Sequence, residues 1–427
     1  MRIALIIEQM KPLRGGREIS ITEIATTLAR RHCEVTILCQ TASWRGEGVK
    51  IRMLGSRGWS RLERLRNFVQ DVQRIIKLQR FDIVHTTLPL PGANVYQLRS
   101  GTMPGQRAAS LRRRLEPART LSAVGRSLNF CRRYLARMER QFVGRNDVVC
   151  LAVSEMVKAE LRTHYGQRGR VRLVYNAVDV PEYDSADMAE QRKRYREELG
   201  LAPHDTLFIT LARNFKLKGV AETLRAFARW HEGLSVAASG RLVVIGGEKP
   251  AAYQELARRL GVDHLTTFVT PTRQVRGWYA AADACVLLSW YDPCSRVILE
   301  ATRFGVPSIT TIFNGASEML RSGAGIVVDS PRNVEAVASA MDQLSDREER
   351  RPFREACLRV ASQLSTEHHV DQLLDIYAEI LSSRMTSPAL PLRGVATRDP
   401  SRALPPATQE GAVISVTETA RPYKKAA

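Results

Sequence analysis

Short apolar runs punctuate the first part of the chain, at residues 3–7, 35–38, 83–85, 148–153 and 171–174. Runs of this length bounded by polar and turn residues read as strands buried on both faces. Between them the apolar spacing becomes helical. Across 19–31, Ile21, Ile24, Ala25 and Leu28 fall on one stripe, and residues 62–79 also read as a helical stretch, so both predict amphipathic helices. Strand, helix, strand in succession predicts a parallel sheet with right-handed crossovers.

The pattern breaks around residues 178–204, which are charged throughout and turn-rich at both ends; a domain boundary fits there. The alternation then restarts. Strands are expected at 207–211, 242–245, 267–269, 284–288, 308–311 and 325–328, with helices at 220–231, 251–260, 274–281 and 295–304. The fold class is therefore α/β, with two doubly wound, Rossmann-like domains facing across a cleft. We expect a first domain over 1–178, a second over 179–366, and an amphipathic helix over 367–384 that packs back toward the first. The remainder, 385–427, holds six prolines and little apolar periodicity, and is expected to be disordered.

Composition narrows the class. Of 427 residues, 44% are hydrophobic and 25% charged, a globular balance. No apolar stretch is long enough to predict a membrane span. The opening run of five apolar residues ends at Glu8, too short for a secretory leader, so it reads as a first core strand in a cytoplasmic chain. Seven cysteines without a CxxC pair argue against a disulfide framework or a zinc site. The net charge of +20 predicts attraction to a polyanion, either nucleic acid or an anionic membrane.

Ligands of open parallel sheets bind beyond the carboxyl ends of the strands, so the loops there carry the candidate chemistry. After the first strand, Gly15 and Gly16 precede a helix; they would let backbone amides approach a ligand. After the first strand of the second half come Arg213 and Lys218, a forked cation and a point charge suited to phosphate. In YDPCSRVILEA, residues 291–301, a turn leads into a helix whose first amides lie near Ser295, Arg296 and Val297. Such an end favours an anion such as diphosphate. Glu300 lies about one and a half turns further in, roughly 7 Å away, where it could hold ribose hydroxyls. Asp292 lies on the other side of the phosphates, where a transferred sugar would sit. Each feature also has a plainer reading: a tight turn, a solvated basic loop, a capping acid and a solvent acid. His85, just after a strand, is an acceptor-side candidate or a structural strand-end histidine.

Taken together, these stretches resemble the retaining GT-B glycosyltransferases of family 4. YDPCSRVILEATRFGVPSITT is similar to the E-x7-E signature of that family, with Asp292 in place of the first Glu. RNFKLKG, IGGEKPAAYQELARRLGV and YAAADACVLLS fit the same family in the second half, as do LRGG, VSE at 153–155 and YNAVD at 175–179 in the first. LPGANVY at 90–96 and CRRYLARMERQF at 131–142 are similar to members that glucosylate the heptose of lipopolysaccharide core. The likeness spans about residues 1–384.

The resemblance implies a hexose transfer, with retention, from a nucleoside-diphosphate sugar, UDP-linked by likeness, to a lipid-linked glycan such as lipopolysaccharide core. Gly15 and Gly16 would face the donor phosphates and sugar. Arg213 and Lys218 would neutralise the leaving diphosphate, Asp292 would hold the donor sugar and Glu300 the ribose. Amides of Ser295, Arg296 and Val297 would complete the phosphate cradle. Two positions depart from the lipopolysaccharide pattern: Asn94 stands where those enzymes carry Asp, and Ser100 where they carry a second acid. Both are acceptor-side candidates.

Fixed positive charge lowers the barrier to diphosphate departure. The chain contains no Asp-x-Asp metal motif, so Arg213, Lys218 and the helix end are expected to supply that charge without a metal or other cofactor. Residues 107–145 hold eleven Arg against Glu116 and Glu139, interleaved with apolar positions. That pattern suits peripheral binding to the inner, anionic face of a cytoplasmic membrane. No nucleic-acid recognition pattern accompanies it. A nucleotide-sugar epimerase or hydrolase, and a non-catalytic membrane-bound glycan-binding protein, are the alternative readings.

Overall fold

In a computed structural model, residues 1–12, 15–113, 129–166, 169–179, 185–233, 239–247, 249–272 and 274–386 are described. Leu13, Arg14, residues 114–128 of the Arg-rich stretch and the tail from 387 lie outside them. The first lobe carries β1 (Arg2–Ile6), β2 (Gln9–Met10), β3 (Glu34–Cys39), β4 (Thr41–Ala42), β5 (Val49–Met53), β6 (Ile83–Thr86), β7 (Val95–Gln97), β8 (Val149–Ala152) and β9 (Arg170–Leu173). Seven of these form one parallel sheet in the order β5-β3-β1-β6-β7-β8-β9, and β2 pairs with β4. The second lobe carries β10 (Thr206–Ala212), β11 (Gly240–Gly246), β12 (Thr266–Val269), β13 (Ala284–Leu287), β14 (Ser308–Thr311) and β15 (Gly325–Val328). They form a second parallel sheet, ordered β12-β11-β10-β13-β14-β15. The two Rossmann-like sheets make the GT-B architecture expected from the pattern of apolar runs.

Helix Gly16–Arg30 shows how local sequence sets this arrangement. It turns Ile21, Ile24, Ala25 and Leu28 onto the core formed with Ile3, Leu5, Val35 and Ile37. Helix Arg61–Leu78 covers the other face, with Leu65, Phe68, Val69 and Val72 buried; Ser60 caps it by accepting from the Glu63 amide at 3.0 Å. Such a cap contributes about 1 kcal/mol.

The charged stretch near the domain boundary contains a helix, Ser185–Glu198. It packs through Tyr195 against Trp278 and the bare face of Gly277. Its Arg192 and Arg196 reach the buried Asp283, which also pairs with Arg350 and accepts from the Leu207 amide. Burial alone would raise the Asp283 pKa, but Arg192, Arg350 and the hydrogen bonds outweigh it and hold it below the usual carboxylate range.

The last helix, Thr366–Thr386, extends past Met385, where the sequence suggested a tail. Residues 1–381 form one compact unit. Within it, Val370, Leu373, Ile376, Tyr377 and Ile380 complete the first-lobe core beside β1 and β3. The chain thus passes between lobes twice. The two crossings touch: the Val178 amide donates to Leu364 O at 3.0 Å, and His369 Nδ1 lies 2.7 Å from Tyr175 O.

Candidate active site

The site is built where post-strand loops of both lobes converge. β10 ends in Ala212 and runs into Arg213 and Asn214. Asn214 Oδ1 accepts from the Leu217 amide at 2.8 Å, and its carbonyl accepts from Lys218 N. Gly219 then enters helix Val220–Glu232 at φ 69°, with its face against Leu288 O, 2.1 Å from where a Cβ would sit. No other residue fits both the left-handed backbone and that contact. This turn aims Lys218 at Asp292, and the two form an ion pair whose side chains are 19% and 12% exposed.

Asp292 is fixed through its backbone. Its amide donates to Phe313 O and its carbonyl accepts from Gly315 N. Behind it, the fully buried Asn314 accepts from the Ser295 and Ala316 amides through Oδ1. The Ser295 amide is therefore engaged by protein at 3.3 Å. The amides of Arg296 and Val297 open helix Arg296–Arg303 ahead of its first intrahelical bond, Leu299 N to Ser295 O, and are the ones with a helix-end orientation toward an anion.

Glu300 sits one layer deeper. Its Oε2 accepts from Tyr279 Oη at 3.0 Å, and its Oε1 lies 3.3 Å from Arg296. The Arg296 side chain does not extend toward the helix end. It forks onto Glu23 of the first lobe at 2.6 and 2.8 Å and donates to Ala177 O at 3.0 Å. Although burial opposes it, Glu23 and Glu300 hold the guanidinium charged; burial in turn pushes Glu23 up. Gly16 is where this arginine passes, since a Cβ there would lie 2.8 Å from Arg296 Cδ. A Cβ on the neighbouring Gly15 would lie 3.8 Å from Arg213 Nη1. The glycine pair of the first lobe thus meets Arg213 and Arg296 of the second.

Arg296→Ala leaves the Glu23 and Glu300 carboxylates facing each other without the cation between them. We expect the lobes to open, with a loss of about 3 kcal/mol in closure. Small-angle scattering checks this: the radius of gyration should rise above that of the unsubstituted protein.

The sequence did not reveal two other links between lobes. Glu318 accepts from the Glu155 and Met156 amides at the start of helix Glu155–Tyr165, at 2.7 and 2.8 Å, and from Tyr175 Oη at 2.8 Å. Glu160 accepts from Tyr291 Oη at 2.9 Å. The partners of Glu318 and Glu160 are distant in sequence, so no local motif announces them. Within the first lobe, Arg99, 7% exposed just beyond β7, donates to Gln97 at 2.8 Å; burial, with Arg296 nearby, lowers its pKa to about 9.

The acceptor-side candidates separate. Ser100 is exposed just past the carboxyl end of β7. Asn94 lies at the opposite end of that strand, where its Oδ1 accepts from the Val84 amide at 2.8 Å and mends the sheet. His85 is enclosed beneath the last helix, 2.6 Å from Tyr377 Oη, and burial lowers its pKa to about 3. It presents no accessible face in this arrangement. Glu139, one of the two acids of the Arg-rich stretch, points inward to Tyr96, Tyr165 and the Met103 amide. Arg132, Arg137 and Arg140 of helix Phe130–Val143 are exposed, as is Phe130. Among the described residues, no helix is long and apolar enough to cross a membrane.

Comparison with known proteins agrees with this fold. Residues 14–182 match the Glycosyltransferase Family 4 profile and residues 191–359 that of Glycosyl transferases group 1. The chain is 26% identical over 419 residues to the D-inositol 3-phosphate glycosyltransferase of Corynebacterium aurimucosum, covering 90% of this chain and 97% of that one. It is 23% identical over 369 residues to the lipopolysaccharide glucosyltransferase WaaG of Escherichia coli, covering 85% and 92%. The crystal structure of WaaG superposes with a TM-score of 0.74 at 21% identity, over 88% of this chain and 99% of that one. Anabaena Alr3699/HepE, solved in complex with UDP-glucose, superposes with a TM-score of 0.64 at 18% identity, over 90% and 100%. With one lobe matched by each profile and both in the GT-B arrangement, the chain belongs to the group 1 and family 4 glycosyltransferases.

Proposed function

We propose that this protein transfers a hexose, with retention, from a UDP-linked sugar to a lipid-linked glycan of the lipopolysaccharide-core kind, at an anionic membrane surface. The observation that carries the reading is the convergence of Gly15 and Gly16 on Arg213 and Arg296, with Lys218, Asp292 and Glu300 behind them. A diphosphate in that gap would meet Arg213 and Lys218 on one side and the amides of Arg296 and Val297 on the other. Ribose hydroxyls would take the Glu300 carboxylate, and the sugar would displace Lys218 from Asp292. Positive charge fixed in place before the reaction stabilises the departing diphosphate, and closure of the lobes excludes water. The likenesses to WaaG and to a UDP-glucose complex support the acceptor and the donor respectively. The exposed arginines of helix Phe130–Val143 support the membrane.

One assay tests the whole reading: release of nucleoside diphosphate from UDP-glucose, with and without a lipid-linked core oligosaccharide, in anionic vesicles. We expect acceptor-dependent release that survives a chelator and falls when neutral vesicles replace anionic ones. Acceptor-independent release would instead indicate a hydrolase, and chelator sensitivity would place a metal in the reaction.

A further inference from the structure

A second cavity, of about 320 Å³, lies in the first lobe and belongs to none of the donor contacts. It is lined by Glu8, Gln9, Arg17, Gln40, Arg61 and Arg64, with Ser56 and Leu65 at its edge. Its volume falls in the range of small-molecule sites, about 300–1,000 Å³. The topology explains its position. Glu8 and Gln9 follow β1, Gln40 follows β3 and Ser56 follows β5, so three neighbouring strands deliver their post-strand residues to one place. Arg61 and Arg64 come from the first turns of helix Arg61–Leu78. Arg17 directly follows Gly16, which abuts Arg296. The cavity therefore adjoins the donor loop.

Its chemistry is specific. Three guanidinium groups face one carboxylate. Arg17 has a partner in Glu18, at 3.2 Å. Arg64 donates to the Gly58 and Trp59 carbonyls, which orient it and leave its charge uncompensated. Arg61 makes no hydrogen bond or ion pair among the described residues. Gln9 Oε1 is buried without a hydrogen-bond partner. Leaving a buried acceptor unmet is costly, and a ligand hydroxyl would relieve it. A wall of cations with one waiting acceptor suits a group that is both anionic and hydroxylated.

We propose that this cavity binds an anionic sugar unit of the acceptor, bearing a phosphate or a carboxylate, with Arg61 and Arg64 on the charge and Gln9 on a hydroxyl. The assignment to the acceptor rests on the transferase reading above; binding itself does not.

The test uses the full chain and isothermal titration at low salt, with glucose 6-phosphate, glucuronate and glucose as probes, in the unsubstituted protein and in Arg61→Glu and Gln9→Leu. UDP-glucose binding is measured alongside. We expect at least one anionic probe to bind at least tenfold more tightly than glucose, the stronger one naming the charge. Arg61→Glu should weaken that probe at least tenfold and leave UDP-glucose unaffected. Gln9→Leu should weaken it by a smaller factor. Equal affinity for glucose and both anions, or an anion affinity unchanged in Arg61→Glu, overturns the proposal. Loss of UDP-glucose binding in the unsubstituted protein would strike the transferase reading and leave the cavity result standing.

Discussion

Lys218→Ala will lower transfer by about two to three orders of magnitude, the loss typical when one fixed charge-stabilising group is removed from a developing anion. Glu300→Ala will be similarly damaging, through donor binding. The reason lies in where each side chain is held. Gly219 and the Asn214 turn aim Lys218 into the gap between lobes, against Asp292. Glu300 is oriented by Tyr279 and Arg296, so its carboxylate is held in place before any ligand arrives. Nucleoside-diphosphate release under saturating acceptor separates the two effects. Lys218→Ala should act mainly on kcat, and Glu300→Ala mainly on the donor KM. Both proteins should melt as the unsubstituted one does. Normal turnover in either would remove that residue from the site.

The largest loss of stability will come from a residue outside the site. Asp283→Ala strips the common partner from Arg192, Arg196 and Arg350 and frees the Leu207 amide. Removing one side of a buried ion pair costs about 3–5 kcal/mol, because the remaining charge is left unmatched. Here the remaining charges are three of one sign, converging where the second sheet begins. Denaturant unfolding should register the loss with catalytic residues untouched. The same group makes stability depend on acid. Its folded pKa is depressed, so its contribution is complete above about pH 4, the ordinary carboxylate range. It disappears as pH falls through the lower folded value. In Asp283→Asn that part of the acid dependence should vanish.

Much of the second lobe was legible because its strands are buried on both faces. β10 is buried at every position, and its apolar run needs no partner to be recognised. β5 escaped notice for the opposite reason. It is an edge strand whose Lys50 and Arg52 interrupt the apolar pattern. Helix Ser185–Glu198 was hidden by charge. Its Arg192 and Arg196 serve Asp283, 91 and 87 positions away, and look like solvent residues when read alone. The site divides along the same line. Gly15, Arg213, Lys218, Asp292 and Glu300 lie just after strands or on a helix that follows one, where the fold class alone directs attention. The use of Arg296 was not legible. The sequence offered its amide, whereas the side chain ties Glu23 to Glu300 across 273 and four positions respectively. Asn94 misled in the same way, since a motif likeness carried no information about which end of β7 it occupies.

The double passage of the chain between lobes has a mechanical consequence. Two adjacent covalent bridges, laced together at Val178 and Leu364, behave as a door hinge with two knuckles. They permit swinging about one line and resist sliding or twisting. On the proposed reading, each turnover opens the gap for spent nucleotide to leave, and the return swing brings Gly16 back beside Arg296 in the same register.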